Sequence, residues 1–192
     1  YVRKVRVCAM ELGLQDQLEL VATTVLPTEA NVEYMQQANP LGKIPALTLE
    51  NGTVIFDSSV ICEHLNHRHP QAPLLPAGDE RWQVLTEQQL ADGMTDALVG
   101  VRYENWLRPE ALRWAEWTQG QMKKVEQGLA WFEAHPERLQ RPLNLGQIAL
   151  ACTLGYLDFR FADLHWRNHH PQLASWYGEF SQRSSMQATT PP

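Results

Sequence analysis

The apolar residues near the start of the chain switch from a helical to a strand-like period. Val2, Val5 and Ala9 recur at the spacing of one helix face, and Gly13 stands where that helix would end. Residues 18–22 then combine Leu, Val and Ala in a short run that predicts a strand. The opening segment is therefore of mixed helix and strand character.

The next segment predicts a helix, a hairpin and a second helix. Residues 29–38 predict a short helix that Asn-Pro ends. Residues 46–49 and 53–56 predict two strands, because the Asn-Gly at 51–52 between them is the strongest short hairpin signal. Asp and Ser residues then offer N-caps to a helix over 57–69.

A proline-rich break separates this part from the remainder of the chain. Pro70, Pro73 and Pro76 are followed by Gly78, and strand patterns nearly vanish beyond them. We expect an α/β domain over residues 1–69, a linker over 70–78 and an all-helical domain over 79–192. The predicted helices of that second domain cover 79–107, 109–134, 145–162 and 171–183.

Local signals refine the helical domain. Pro109 and Pro171 suit the first turn of a helix. Asn144, with Gln147 three residues later, resembles a capping box in which the Gln side chain bonds back to the Asn backbone amide. The polar tail over 184–192 is expected to be loose.

Composition and charge exclude several classes of function. The 192 residues carry 16 Lys+Arg against 22 Asp+Glu, a net charge of −6, which argues against nucleic acid as a partner. No run of about 20 apolar residues suits a membrane helix. Cys8, Cys62 and Cys152 form no CxxC motif, so a reduced, cytoplasmic protein is expected.

Several candidate reactive groups have plainer explanations. Cys8 lies two turns into the first helix among apolar residues, so we expect a buried small side chain rather than a nucleophile. His165 and His169 have a metal-ligand spacing, but no acidic residue or cysteine completes a set, so no metal is expected. Trp114, Trp117 and Trp131 suit a core or an interface.

Two segments carry candidate chemistry. In the run 39–47, Pro45 suits a strand entry. A cis bond there would turn the backbone of Ile44 towards an extended peptide ligand, although only about 5% of X-Pro bonds are cis and a trans loop is the alternative. Asp57 and Ser58 begin a helix whose N-terminus attracts carboxylates, or they serve only as caps.

The start of the first helix breaks a local rule. Arg3, Lys4 and Arg6 place positive charge where the helix dipole favours anions. A bound anion such as a thiolate would resolve this conflict. The alternative is that each of these side chains faces water.

Together these segments resemble those of the bacterial glutathione S-transferases over nearly the whole chain. The resemblance is carried by Val2-Arg3-Lys4-Val5-Arg6-Val7, by Asn39-Pro40-Leu41-Gly42-Lys43-Ile44-Pro45-Ala46-Leu47 and by Asp57-Ser58 with Ile61 and His64-Leu65. It implies a thioredoxin-like N-terminal domain, a helical-bundle C-terminal domain and a cis Pro45.

The resemblance also implies roles for residues in the glutathione site. Ile44, with Pro45, is expected to bind the cysteinyl backbone of glutathione, and Asp57 and Ser58 its γ-glutamyl end. Lys43 is expected to reach the glycyl carboxylate. In an expected homodimer, Asp92 or Asp96 reaches the partner's glutathione, and the choice between the two is open. The electrophile is expected between the domains, near Asp96 and three residues of the same helix: Arg102, Tyr103 and Trp106.

The chain departs from the family at its beginning. The family places a thiol-activating Ser, Cys or Tyr at the end of its first strand, just before the first helix. The resemblance therefore implies that the first strand is missing from the given chain and that the catalytic residue lies just upstream of Tyr1.

The expected function is transfer of the glutathione thiolate to a small electrophile, with glutathione as cosubstrate. Another glutathione-dependent reaction on this scaffold, by an isomerase, a dehalogenase or a peroxidase, is an alternative. A non-catalytic regulator that resembles stringent starvation protein A is a second alternative.

Overall fold

The chain divides into two units, Tyr1–Leu75 and Pro76–Pro192. The computed structural model describes residues 1–71 and 73–191. The division falls inside residues 70–78, the segment that the prolines assign to a linker. Among the helices of the described residues, none combines the length and the hydropathy that crossing a lipid bilayer requires.

The N-terminal unit is a small α/β arrangement in which two helices pack against each other. Cys8 of the first helix and Cys62 of the third are fully buried, and the Cys8 thiol lies 3.9 Å from the Cys62 carbonyl oxygen. The prediction of Cys8 as a buried small side chain is therefore confirmed. The elements are α1 (Val2–Glu11), α2 (Val32–Gln37), β1 (Leu47–Thr48), β2 (Val54–Ile55) and α3 (Ser58–Arg68).

The predicted hairpin forms, with β1 and β2 antiparallel. Leu47 pairs with Ile55 and Thr48 with Val54. Gly52 has a φ of +83° and donates to the Leu49 carbonyl over 2.9 Å. A residue with a Cβ adopts that backbone conformation only rarely, which is why glycine follows asparagine here.

The strand predicted for residues 18–22 is absent. Within residues 1–71 the sheet contains only β1 and β2, so this segment has no neighbouring strand to share hydrogen bonds with. Leu20 is 63% and Val21 77% exposed. The prediction was wrong because apolar composition alone does not provide a pairing partner.

The C-terminal unit is helical, and its core lies between two long helices that run in the same direction. Gly146 lies against Glu87, and seven residues further along Thr153 donates to the Ala91 carbonyl over 3.1 Å. The Thr153 hydroxyl also lies 2.9 Å from that of Thr95. The helices are α4 (Asp79–Trp106), α5 (Ala115–Ala134), α6 (Pro136–Leu139), α7 (Leu145–Arg160), α8 (Pro171–Phe180) and α9 (Ser184–Gln187).

Helix α5 begins later than the sequence predicts. Pro109 has φ −52° and ψ 136°, which is not helical, and the α-helix starts only at Ala115. Glu104 explains the delay, because its carboxylate accepts the Trp114 backbone N–H over 2.8 Å and pairs with Arg108 over 2.7 Å. These bonds keep the intervening segment out of the α-helix, and it contains only a short 3₁₀ helix over Glu110–Leu112.

One of the two hydrogen bonds predicted for the N-terminal cap of α7 forms, and the other does not. The Asn144 side-chain oxygen accepts the Gln147 backbone N–H over 3.0 Å. The Gln147 side chain does not bond back to Asn144. Its amide donates instead to the carbonyls of Leu139 and Arg141, each over 3.1 Å, because these free carbonyls at the end of α6 lie within its reach.

The expectation of a loose tail is wrong. Residues 184–187 form α9, and Met186 is only 1% exposed. The Thr189 hydroxyl donates to the Ser185 carbonyl over 2.8 Å. The apolar Met186 side chain anchors a segment whose composition is otherwise polar.

Candidate functional site

The loop before β1 is held by side-chain hydrogen bonds. Asn39 is 2% exposed, and its amide donates to the Lys43 carbonyl over 2.8 Å while its side-chain oxygen accepts the Leu41 backbone N–H over 3.0 Å. The Tyr34 hydroxyl of α2 donates to the same Lys43 carbonyl over 2.9 Å. Two side chains therefore fix the backbone immediately before Ile44.

Tyr34 and Asn39 were not identified as site residues from the sequence. Asn39 carried a signal, since it belongs to the Asn-Pro run that resembles the family segment, but nothing marked Tyr34. Burial raises the pKa of the Tyr34 hydroxyl above its ordinary value, so the phenol stays protonated and remains a donor to Lys43.

The Ile44–Pro45 peptide bond is cis, as predicted. Within the described residues, the backbone N–H and C=O of Ile44 make no hydrogen bond. The pair is thus available to an extended chain laid alongside, in the manner of strand addition. The side chain of Lys43, one residue before, is exposed.

Asp57 and Ser58 form the first turn of α3, where β2 leads directly into the helix. The Asp57 carboxylate accepts the Ser59 backbone N–H over 3.0 Å, so the capping role is observed. Ser58 is only 2% exposed, yet its hydroxyl makes no hydrogen bond to any residue in the described part of the chain. A nearly buried hydroxyl at a helix N-terminus is a ready donor to an anion.

Lys4 does not face water, contrary to one of the two interpretations of the basic α1 segment. It is 2% exposed, and its ammonium group donates to the Ser59 hydroxyl over 3.2 Å. The sequence signal for the burial of Lys4 was its position one helical turn before Cys8, because residues four apart lie on the same face of a helix. A positive charge consequently lies beside the first turn of α3.

The acidic candidates lie on α4. Asp92 is half-buried and Asp96 is exposed, one helical turn further along. This spacing places both carboxylates on the same stripe of the helix. The structure of a single chain contains no partner subunit for either residue.

The candidate electrophile-binding residues lie at the C-terminal end of α4. The Arg102 guanidinium lies 4.7 Å from the centre of the Trp106 ring. Tyr103, next to Arg102, is half-buried, and so is Tyr156 on α7. Burial raises the pKa of Tyr156 despite the opposing effect of Arg160 and Arg102.

No cluster of three or more His, Cys, Asp or Glu side chains suited to a metal ion occurs among residues 1–71 and 73–191. The groups around Ile44 and Ser58 are backbone N–H and C=O groups, hydroxyls and charged side chains. These groups suit the recognition of a small peptide that carries carboxylates.

Family models match both units. The model described as "Glutathione S-transferase, N-terminal domain" matches residues 1–68, and that described as "Glutathione S-transferase, C-terminal domain" matches residues 115–179. The Uncharacterized GST-like protein YibF of Escherichia coli (strain K12) is 32% identical over 100% of this chain and 94% of its own length.

Solved structures agree with these matches. A glutathione transferase family member from Pseudomonas fluorescens Pf-5, with bound glutathione, is 48% identical, with a TM-score of 0.97 over 100% of this chain and 94% of its own. Its complex with S-(propanoic acid)-glutathione has a TM-score of 0.92 at 47% identity over the same shares. A Stringent starvation protein A homolog of Histophilus somni is 34% identical, over 40% of this chain and 33% of its own.

Proposed function

This chain belongs to the glutathione S-transferase family, and on that premise we propose that it binds glutathione and transfers the thiol sulfur to a small electrophile. One observation carries the proposal. Ser58 is 2% exposed at the N-terminus of α3, and its hydroxyl has no hydrogen-bond partner among the described residues. A carboxylate of a ligand satisfies both the hydroxyl and the helix end.

Glutathione suits the groups around Ser58. Its γ-glutamyl carboxylate binds the Ser58 hydroxyl, and its ammonium group binds the Asp57 carboxylate. Its cysteinyl backbone pairs with the free N–H and C=O of Ile44, whose position Asn39 and Tyr34 fix through the preceding carbonyl. The exposed Lys43 ammonium reaches the glycyl carboxylate.

The reaction requires the thiolate form of glutathione. A free thiol has a pKa near 8.5, and lowering it by about two units favours the thiolate by roughly 2.7 kcal/mol. The N-terminus of α1 and the Lys4 charge supply part of this effect. The sulfur then forms a bond to the electrophilic carbon, the thiol proton passes to solvent, and a displaced group leaves with the electron pair of its broken bond.

Replacing Ser58 by alanine tests the binding half of the proposal. We expect Ser58→Ala to weaken glutathione binding by about 1–2 kcal/mol in calorimetry, since a hydrogen bond to a charged group is lost. Ser181→Ala is the control, because that hydroxyl donates only to the Gly178 carbonyl on an exposed surface. Equal glutathione affinity of wild type and Ser58→Ala would reject Ser58 as a ligand.

We further propose a cytoplasmic homodimer formed through α4 and α5. Several apolar side chains on these helices and the loop between them are exposed, among them Trp82, Leu112 and Trp114. A twofold interface places the same patch on both subunits. The three cysteines form no disulfide with one another, which suits a reducing compartment in which glutathione is abundant.

Light scattering at micromolar concentration tests the dimer, and a monomer that binds glutathione normally would reject it. The dimer also allows Asp92 or Asp96 to reach the partner's glutathione. Asp92→Asn and Asp96→Asn identify the contact, because only the contacting residue lowers glutathione affinity while the dimer persists. Unchanged affinity in both variants would remove the cross-subunit contact alone.

A second candidate function is regulation without catalysis. The similarity to a Stringent starvation protein A homolog, which extends over 40% of this chain, favours this second candidate. An assay of conjugating activity distinguishes the two candidates. The Pseudomonas relative binds S-(propanoic acid)-glutathione, which is a thioether of glutathione, and this favours conjugation. Isomerase, dehalogenase and peroxidase assays with glutathione test the remaining chemistries of the scaffold.

A further inference from the structure

Two arginines and two tyrosines lie near the C-terminal ends of α4 and α7. The helices run in the same direction and are joined at Thr95 and Thr153, whose hydroxyls lie 2.9 Å apart. Seven residues beyond each threonine, about two turns, lie Arg102 and Arg160. Tyr103 follows Arg102, and Tyr156 lies one turn before Arg160.

Neither arginine has a carboxylate partner in the part of the chain that the structure describes. Arg102 lies over the Trp106 ring at 4.7 Å, and Arg160 over the Phe159 ring at 3.8 Å. The nearest acidic residues in sequence are engaged elsewhere. Glu104 binds Arg108 and the Trp114 N–H, whereas Asp158 binds Arg167 through both oxygens at 2.6 and 2.7 Å.

The tyrosine hydroxyls are equally available. Tyr103 and Tyr156 are half-buried, and neither hydroxyl forms a hydrogen bond with the described residues. Burial raises the pKa of Tyr156, so its hydroxyl remains a donor at neutral pH. Arg102 and Arg160 each lie about two turns beyond one of the two paired threonines, so both arginines occupy the same level of neighbouring helices.

At that level of α4 and α7, the two guanidinium groups and the two hydroxyls offer donors to an anion. Two like charges near each other and without a counter-ion repel, and an anion removes that repulsion. The exposed Trp106 ring and the half-buried Phe161 ring, 6.2 Å from that of Tyr156, offer apolar surface beside the charges. The cluster thus combines an anion site with an aromatic surface.

We propose that Arg102 and Arg160, with the hydroxyls of Tyr103 and Tyr156, bind the carboxylate of the second substrate, so that the enzyme prefers small electrophiles carrying both a carboxylate and an apolar body. This inference rests on the proposed transferase function. Arg102 and Tyr156 determine specificity in it, and they take no part in the bond-making step.

A matched pair of aryl chlorides makes the preference measurable. In 4-chloro-3,5-dinitrobenzoate, the glutathione sulfur bonds to the ring carbon that carries chlorine, the carbon–chlorine bond breaks, chloride leaves and the thiol proton goes to solvent. The carboxamide of the same ring reacts identically but has no charge. Each kcat/KM is divided by the uncatalysed rate of that compound with glutathione, which removes the difference in intrinsic reactivity.

We expect wild type to favour the carboxylate over the carboxamide. Arg102→Met lowers kcat/KM for the carboxylate about tenfold or more and changes that for the carboxamide less than about twofold. Tyr156→Phe has a severalfold effect in the same direction. Arg183→Met is the matched control, because that arginine also lies over an aromatic ring, Phe180, at 5.5 Å. An equal loss for both compounds in Arg102→Met, or no loss, would overturn the proposal.

Binding without chemistry separates this inference from the proposed function. The unreactive pair 3,5-dinitrobenzoate and 3,5-dinitrobenzamide is titrated by calorimetry, and we expect the carboxylate to bind more tightly to wild type but not to Arg102→Met. If neither chloride is conjugated, the transferase function fails, while this titration still judges the anion site. Equal binding of the two compounds to wild type would reject the anion site itself.

Discussion

The two units provide their candidate binding groups in opposite ways. Between residues 15 and 57, Asn39 is the only buried residue, and polar side chains hold the backbone that carries the Ile44 binding groups. In α7, by contrast, almost every residue from Leu145 to Leu157 is buried, and the candidate binding groups are side chains at the end of an apolar helix. The N-terminal unit depends on hydrogen bonds for its site, and the helical unit on its core.

This difference predicts where mutations act. Tyr34 and Asn39, whose side chains bond the Lys43 carbonyl, are called polar braces below. Removing such a brace in the N-terminal unit disturbs ligand binding more than folding, because little buried apolar area depends on it. Removing a core side chain in the helical unit disturbs folding first, because the lost burial leaves a cavity.

The largest effect is expected from the helical core. Leu154 is fully buried in α7, so Leu154→Ala lowers the free energy of unfolding by about 2–5 kcal/mol in chemical denaturation. Leu20→Ala is the matched control, because Leu20 is 63% exposed, and it changes the free energy by less than about 0.5 kcal/mol. Equal losses in the two variants would abolish the contrast.

Several helix starts could be predicted from the sequence because residues close to them in the chain determine them. Helical apolar spacing and Asn144 predicted the start of α7, and Asp57 predicted that of α3. The start of α5 was not predictable in this way. It depends on Glu104, which captures a backbone N–H ten residues later.

The candidate site was predictable only in part. The motif resemblance pointed to Ile44 and Ser58, but Tyr34 and Asn39, which fix the backbone before Ile44, were missed as site residues because their contacts depend on the folded chain. Lys4 and Ser59 are 55 residues apart in sequence, and nothing in either segment predicts their hydrogen bond. The strand predicted for residues 18–22 was wrong for the same reason. A strand needs a neighbouring strand to pair with, and local composition does not show whether one is present.

A brace in the N-terminal unit should give an intermediate effect. We expect Asn39→Ala to weaken glutathione binding by about 1–3 kcal/mol, because the Lys43 carbonyl and the Leu41 N–H lose their partner and the Ile44 backbone shifts. Tyr34→Phe removes one bond to the same carbonyl and costs about 0.5–1.5 kcal/mol.

Calorimetry with glutathione, paired with denaturation of each variant, separates binding from folding. The contrast between the units predicts that both variants lose more binding than stability. A loss of stability in Asn39→Ala comparable to that of Leu154→Ala, with glutathione affinity unchanged, would show that the brace serves folding instead.

In the helical unit, Glu104 plays a similar part, because its carboxylate bonds the Trp114 backbone N–H and Arg108. Its contribution to stability can be measured through its dependence on pH. The pKa of its carboxyl is lowered, first by the Trp114 backbone N–H and then by the Arg108 side chain, both of which favour the charged form. The folded pKa therefore lies below the unfolded value of 4.5. The stabilisation is present above that value and is lost as pH falls through the folded pKa.

Glu104→Gln keeps the shape of the side chain and removes the charge, so it isolates this small contribution. We expect wild type to exceed Glu104→Gln in unfolding free energy by a constant margin between about pH 6 and 8, and the margin to shrink as pH falls below about 4.5. Glu110→Gln, at an exposed glutamate of the same segment, is the control for the loss of one carboxylate there. A margin that grows towards acid pH would contradict the lowered pKa, because a carboxyl stabilised in its charged form can only lose its contribution on protonation.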